Sequence, residues 1–348
     1  MLLKTTDQRK LTGWQKIANR KSKIANDFNV LFTCIGRRVS LLQSFRRAAA
    51  QLKMNAAFLG TDRAGLSSAL QLCDRRFLVK PTTHRGYIGQ LLSIVKANRV
   101  KLLVPTVDLD LKSLARNEPK FAAAGCRVLV STQDVIDICQ DKRKTYRFLV
   151  KNGFDAAITM SVRSVLSMSK INWPCFLKPW DGSAGRENAV ATNRKELLFY
   201  ARRIPNVICQ EFVEGAEFTC DAYVDFGMKV RCVVPRRRIE VRAGETSKGQ
   251  VTMNGRIMDE AAALVEKLGA GPGVITLQLF LTDDGKVKFI EINPRFGGGV
   301  PLSIKAGANF PKWILQELTG NKPNIRPDGF KDNLTMLRYD SEVWLEGS

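Results

Sequence analysis

Glu291, Asn293 and Arg295 fall at every second position in LQLFLTDDGKVKFIEINPRFGGG (residues 277–299), and Gln278 stands near the start of the same stretch. Glutamate with the amide oxygens of glutamine and asparagine makes a hard-oxygen donor set. It suits Mg²⁺ or Mn²⁺, which take their remaining ligands from water and phosphate. Arg295, just beyond, offers a planar fork to a phosphate or carboxylate. These groups can act together only on a shared face. Asp284-Gly285 is the two-residue sequence that type I′ hairpins prefer. A turn there sets Asp283 opposite Lys286, Gln278 opposite Glu291 and Thr276 opposite Asn293. Side chains alternate along a strand, so these last four share one face while Leu277, Leu279, Ile290 and Ile292 form an apolar one. Gly297–Gly299 would let backbone approach a ligand closely. A solvated sheet face followed by a flexible loop has the same pattern, so the hairpin alone leaves metal binding open.

Other stretches carry compatible chemistry. In CFLKPWDGSAG, Lys178 ends an apolar strand before a glycine turn, which sets an ammonium beside backbone donors for phosphate. Lys142 in DICQDKRKTY is a weaker signal, because most helix lysines face solvent. QEFVEG reads either as a strand edge between lobes, with Glu217 following where a ribose could be held, or as a plain hairpin.

The elements around them alternate. FNVLFTCIG, AAFLGTD, RRFLVKP and KLLVPTVD read as strands, with helical patterns in RRVSLLQSFRRAAAQL, SALQLCD and YIGQLLSIVKANR. FAAAGCRVLVS adds a helix end and a strand. This order indicates a doubly wound parallel sheet. IGRRVS lacks the GxGxxG fingerprint, so an NAD site is not supported. Downstream come a helix at DVIDICQDKRKTYRFLVKNG, the CFLKPW strand, a helix from NRKELLFYARR, strands in VICQEFVEGAEFTCDAYVD and a helix at RIMDEAAALVEKLG. The expected division is a basic extension (1–27), an α/β domain (28–131), a central lobe (132–209), a C-terminal lobe (210–325) and a tail (326–348).

The order DK, KPxxGSAG, QEFVEGxEFTxD and LQLF…EINPR resembles the ATP-grasp superfamily, and NPR resembles its carbamoyl-phosphate synthetase and biotin carboxylase branch. The resemblance spans roughly residues 28–320. It implies an α/β pre-ATP-grasp domain followed by a two-lobed α+β ATP-grasp fold. ATP and one or two Mg²⁺ (or Mn²⁺) ions would lie between the lobes, and a carboxylate would become an acyl phosphate attacked by an amine. By match, Lys142 and Lys178 would bind phosphates, and Ser183, Ala184 and Gly185 would form the closing loop. The segment Glu211, Phe212 and Val213 would meet adenine through backbone groups, and Glu217 the ribose. Gln278, Glu291 and Asn293 would hold metal, with Arg295 at the reacting phosphate. Gln278 stands where many relatives have an acid, which leaves a second metal open. The resemblance also places VPRRRIEVRAGETSKG over the site. IEVRA reads as a strand and GETSKG as a mobile loop, with Arg242 and Lys248 holding an anionic acceptor carboxylate; a solvated basic edge strand is the plain alternative.

The whole chain narrows the choices. It has 348 residues, 45% of them hydrophobic, and a net charge of +22. Residues 1–27 hold seven Lys/Arg and two Asp, which leaves +17 on the body. Leu11, Trp14, Ile17 and Ala18 could line one helix face there, as an anchor or in a frayed extension. Such charge favours anionic partners, although solvated faces give the same number. No apolar run approaches the ~18 residues of a membrane span, and no secretory signal is visible. The eight cysteines form no CxxC pair, so the expected location is a reducing cytoplasm. The single histidine, His84, lies outside every motif, which argues against a Ser-His or Cys-His hydrolase. No internal repeat is present, which argues against a complete carbamoyl-phosphate synthetase. The expected function is an ATP- and Mg²⁺-dependent carboxylate–amine ligase; a homodimer is compatible with it. The alternative is a non-catalytic ATP- or nucleic-acid-binding protein on the same scaffold. Nucleic acid is disfavoured because RRRIEVRAGETSKG lacks aromatics.

Overall fold

The computed structural model describes residues 28–182, 185 and 187–347. The basic extension, Ser183 and Ala184 lie outside these residues.

The first sheet is parallel, ordered β3-β2-β1-β4-β5, with β1 Phe28–Thr33, β2 Ala56–Asp62, β3 Arg75–Leu78, β4 Val100–Pro105 and β5 Arg127–Val128. Helices α1 (Val39–Gln51), α2 (Ser68–Gln71), α3 (Tyr87–Ala97) and α4 (Leu111–Ala123) connect them. The central strands are buried on both faces, which is why they read as continuous apolar runs. Leu31, Leu59 and Leu103 face α3 and α4, while Val30, Phe32, Leu102 and Val104 face α1. The chain leaves β1 towards β2 and leaves β4 towards β5, so the strand order reverses between β1 and β4. Such a switch point opens a crevice at the carboxyl ends of the strands.

A single helix was expected over DVIDICQDKRKTYRFLVKNG; the chain makes two, α5 (Gln133–Cys139) and α6 (Lys142–Lys151). Asp141 breaks the run by capping α6, accepting from the Arg143 amide at 2.9 Å. Lys142 thereby becomes the first residue of a helix. After α7 (Val162–Leu166), β7 (Cys175–Pro179) enters a four-stranded antiparallel sheet, β6-β9-β7-β8, with β6 Thr159–Met160, β8 Ala189–Ala191 and β9 Val207–Glu211. Helix α8 (Arg194–Ala201) helps cover its core face, where Leu177, Leu197 and Cys209 meet.

The third sheet is antiparallel, ordered β14-β13-β10-β11-β12-β15. Its strands are β10 Ala216–Val224, β11 Val230–Arg242, β12 Glu245–Val251, β13 Gly273–Leu281, β14 Val287–Asn293 and β15 Thr335–Leu337. GETSKG is therefore strand β12, paired on both sides, and the expectation of a mobile loop fails. QEFVEG is no plain hairpin either, because β9 and β10 belong to different sheets. Helix α9 (Gly255–Leu268) packs Ile257, Ala261 and Leu264 on one face. The last helices are α10 (Val300–Ala306) and α11 (Phe310–Leu318). They pack against α1 in one core that joins Phe45 to Phe296, Phe310 and Trp313. The third sheet and the first thus share one apolar core. Among the described residues, no helix is long and apolar enough to cross a membrane.

Candidate functional site

The expected partners on the β13–β14 hairpin are found: Thr276 pairs with Asn293 and Gln278 with Glu291. The route to that register differs. The turn is not a two-residue I′ loop, because Leu281 pairs with Val287 and Thr282–Lys286 close the end. The Gly285 amide donates to the Thr282 carbonyl at 2.9 Å, and Gly285, not Asp284, takes the positive φ of +80°. A register shift follows between Gln278 and Leu279, so Leu279 faces Phe289 and Ile290 becomes an extra residue. The two irregularities cancel. In the core beside Leu277, Leu279 and Ile292, Phe289 takes the place expected of Ile290.

Gln278 and Glu291 are half-buried on the opposite face, and Asn293 is buried. Among the described residues, no protein hydrogen bond or ion pair engages the side chain of Gln278 or Glu291. The Asn293 side-chain amide oxygen, Oδ1, accepts from Arg295 Nη2 at 3.2 Å. One carboxylate and two amide oxygens fit a hard divalent cation that draws its other ligands from phosphate and water. No cluster of three or more His, Cys, Asp or Glu able to hold an ion occurs among the described residues.

Lys178 and Lys142, each expected on a face that solvent could equally cover, are 6% and 8% exposed. Burial pushes the Lys178 ammonium down to about 8; Glu291 opposes this, Lys142 adds to it and Glu217 opposes it. Lys178, on the four-stranded sheet, is therefore near enough to Glu291 and Glu217, on the third sheet, for their charges to act on it. Lys142 Nζ donates to the Gly182 carbonyl at 2.5 Å, and its amide donates to the Trp180 carbonyl at 3.0 Å. The glycine turn is thereby tied to the start of α6. Gly185 is exposed, with φ +66°.

Glu211 closes β9, and its amide donates to the Ile158 carbonyl at 2.8 Å. Its carboxylate receives the Ile158 amide at 3.1 Å and pairs with Lys288. Phe212 is 40% exposed, and Val213 is buried beside it. Glu217 pairs with Arg238 at 3.0 Å; burial nevertheless pushes its carboxyl up, against Arg238.

Arg242 and Lys248 are not brought to this cluster. Two register shifts in β11 after Arg238 turn them outward, Arg242 onto exposed Asp340 at 2.7 Å and Lys248 onto Glu240 at 2.7 Å. The guanidiniums that do converge near Arg295 are Arg38 and Arg338, which sequence reasoning passed over. Asp108, just after β4, takes Arg295 Nη2 at 2.5 Å. Glu245 lies 3.3 Å from Arg38, just after β1, and 2.9 Å from Arg338, just after β15. Position after a strand at the switch point was a usable signal for Arg38 and Asp108. Nothing local marked Arg338, which arrives only because β15 pairs with β12.

The three glycines sit against packed side chains. A Cβ on Gly297 would lie 2.8 Å from Thr276 Oγ1, and one on Gly298 would lie 2.8 Å from Arg38 Nη1. One on Gly299 would overlap Arg236, whose guanidinium, 1% exposed, pairs with buried Asp221 at 2.8 and 3.1 Å. Their smallness makes room for packed side chains that set the loop carrying Arg295.

Residues 30–129 match the family model described as "PylC-like, N-terminal domain". Residues 203–338 match the one described as "ATP-grasp in the biosynthetic pathway with Ter operon". The chain is similar to the carbamoyl phosphate synthase large chain of Thermomicrobium roseum, 28% identical over 235 residues, covering 62% of this chain and 21% of that one. It therefore spans about a fifth of such relatives. The biotin carboxylase domain dimer of Hydrogenobacter thermophilus 2-oxoglutarate carboxylase, solved with MgADP, ADP and bicarbonate, superposes with a TM-score of 0.69 at 14% identity, covering 88% of this chain and 73% of that one. The L-amino acid ligase of Bacillus licheniformis gives 0.64 at 20% identity, covering 85% and 75%. The fold is ATP-grasp, and the resemblance to the carbamoyl-phosphate synthetase and biotin carboxylase branch holds.

Proposed function

We propose that this ATP-grasp chain is an ATP- and Mg²⁺-dependent ligase that joins a carboxylate to an amine through an acyl phosphate. The observation that carries the reading is a pair of buried lysines, Lys142 and Lys178, with Glu291 near enough to act on Lys178 and its half-buried carboxylate without a hydrogen-bond or ion-pair partner among the described residues. A nucleoside triphosphate with its cation supplies the opposite charges that these lysines and Glu291 lack.

In this reading Lys142, Lys178 and the loop through Ser183, Ala184 and Gly185 bind phosphates. Adenine lies along the backbone of Glu211, Phe212 and Val213, and Glu217 reaches the ribose. Bound Mg²⁺, one ion or two, held by Gln278, Glu291 and Asn293, would neutralise phosphate oxygens. A carboxylate oxygen of the acceptor attacks the γ-phosphorus and the bond to ADP breaks. The amine nitrogen then attacks the acyl carbon, inorganic phosphate leaves, and the amine gives up a proton. Such chemistry needs positioning and charge neutralisation more than a protein nucleophile. Arg295 meets the reacting carboxylate and phosphate, and Arg38 and Arg338 replace Arg242 and Lys248 as acceptor-binding groups.

The test is ADP release across panels of small acids and amines, with mass spectrometry of the product. The reading fails if a non-hydrolysable ATP analogue binds yet no acid–amine pair stimulates ADP release.

A further inference from the structure

The crevice at the carboxyl ends of β1 and β4 contains two separate guanidinium sites, and a carboxylate of the chain already occupies each. At one, Asp108 Oδ2 takes Arg295 Nη2 at 2.5 Å and Nε at 3.2 Å. At the other, Glu245 spans two arginines, with Oε1 3.3 Å from Arg38 and Oε2 2.9 Å from Arg338. Against the upward push of burial, Arg38 and Arg338 hold the Glu245 carboxyl below its usual range. Arg38 is itself so desolvated that burial pushes its guanidinium down, although Glu245 opposes this. Arginines packed this way need anions beside them.

The two sites are close. Arg338 Nη2 donates to the Gly298 carbonyl, and Arg38 Nη1 packs on Gly298. Gly298 is three residues from Arg295, which limits the separation of their Cα atoms to about 10 Å, and the Arg295 charge acts on Arg38. The Arg295 site adjoins the metal hairpin through Asn293. A monocarboxylate would satisfy only that site and leave Arg38 and Arg338 on Glu245.

We propose that the acceptor is a compact dianionic acid. One carboxylate displaces Asp108 from Arg295 and is phosphorylated there. The second anionic group, a carboxylate or a phosphate, displaces Glu245 from between Arg38 and Arg338. The proposal rests on the ligase reading above and treats Asp108 and Glu245 as resident stand-ins for the substrate.

Calorimetry with succinate, phosphonoacetate and butyrate, in the presence of a non-hydrolysable ATP analogue, tests it without requiring turnover. One of the two dianions should bind at least about tenfold more tightly than butyrate, the scale of one charge-assisted contact. Succinate ahead of phosphonoacetate identifies a second carboxylate, and the reverse a phosphate. Arg338→Gln should abolish the preference, bringing dianion affinity down to that of butyrate; Arg38→Lys serves the same purpose if that variant does not fold. Glu245→Gln should tighten dianion binding several-fold, whereas a purely structural Glu245 would leave it weaker. Equal binding of all three acids, no binding of any, or uniform weakening in Arg338→Gln overturns the dianion. Those results leave the ligase reading standing wherever a monoacid still stimulates ADP release; failure of the ATP analogue to bind strikes that reading instead.

Discussion

Gly299 lies so close to Arg236 that no side chain could be placed on it without displacing the guanidinium. Arg236 is held from beyond by Asp221, which also receives the Ser303 hydroxyl at 2.6 Å. Thr276 Oγ1, 3.2 Å from Asp221, lies 3.0 Å from the Arg295 carbonyl oxygen. The loop that presents Arg295 therefore rests on a buried ion pair. Gly299→Ala should lower stability by roughly 1–3 kcal/mol as an overpacking change. Arg236→Met, which leaves Asp221 charged and unpaired, should cost about 3–5 kcal/mol. Denaturant melts check both, and a Gly299→Ala protein as stable as wild type would refute the packing account.

Glu291→Gln should keep the fold, since the side chain has no hydrogen-bond or ion-pair partner to lose among the described residues. It should cut ATP turnover by ~10²-fold or more, the usual cost of losing one electrostatic contribution at a transition state. Retained turnover, in the mutant or in excess chelator, would remove the hairpin from the metal site.

Lys178 titrates near 8 because burial disfavours its charge. The folded protein then binds fewer protons than the unfolded chain between that value and 10.5, so its stability should rise across this window. Below pH 8 the full cost is present. Lys178→Met should therefore be more stable than wild type at pH 7, by up to about 3 kcal/mol, and equal to it above pH 10.5. Nucleotide affinity should move the other way, weakening by roughly 1–3 kcal/mol. ATP binding to wild type at pH 8 should also take up protons, measurable by calorimetry in buffers of different ionisation enthalpy. A mutant less stable than wild type at pH 7 contradicts this account.

Asp110 is fully buried behind Asp108; the Tyr87 hydroxyl donates to it at 3.0 Å, and burial pushes its carboxyl up to about 6. A raised carboxyl favours the folded state most below its ordinary value of 3.8, and that advantage is lost as pH rises through 6. Asp110→Asn should thus stabilise the protein at pH 7.5 by up to about 3 kcal/mol, with the difference closing below pH 4. Parallel thermal melts across that range decide the matter; a constant difference would show that titration of Asp110 is not the cause.

Arg242 makes an exposed pair with Asp340, with side chains 64% and 80% accessible. Arg242→Ala should change stability by ~0–1 kcal/mol and leave acid-dependent kcat/KM unaltered. A selective rise in the KM of the acid would return this hairpin to the acceptor site.

Local pattern determined the elements. Apolar runs marked β1, β2 and β4, because strands buried on both faces must be apolar throughout. Alternation brought Gln278 and Glu291 together, because the side-chain period of two is a property of the strand itself. Even so, the I′ turn and the bulge at Ile290 each departed from expectation by one residue, and the register survived only because the departures cancelled. What the tertiary structure decided is which charges are dry and which meet. Lys142 and Lys178 look like surface lysines in the chain and are buried in the folded protein. Arg38, Asp108, Glu245, Arg295 and Arg338 come from distant segments, and their meeting depends on the switch point, on β12 and on a final strand at its edge. Arg242 was the plausible choice along the chain, but pairing shifts in β11 turned it to solvent. Periodicity is local and can be read from neighbours in sequence; desolvation and long-range ion pairing depend on neighbours in space.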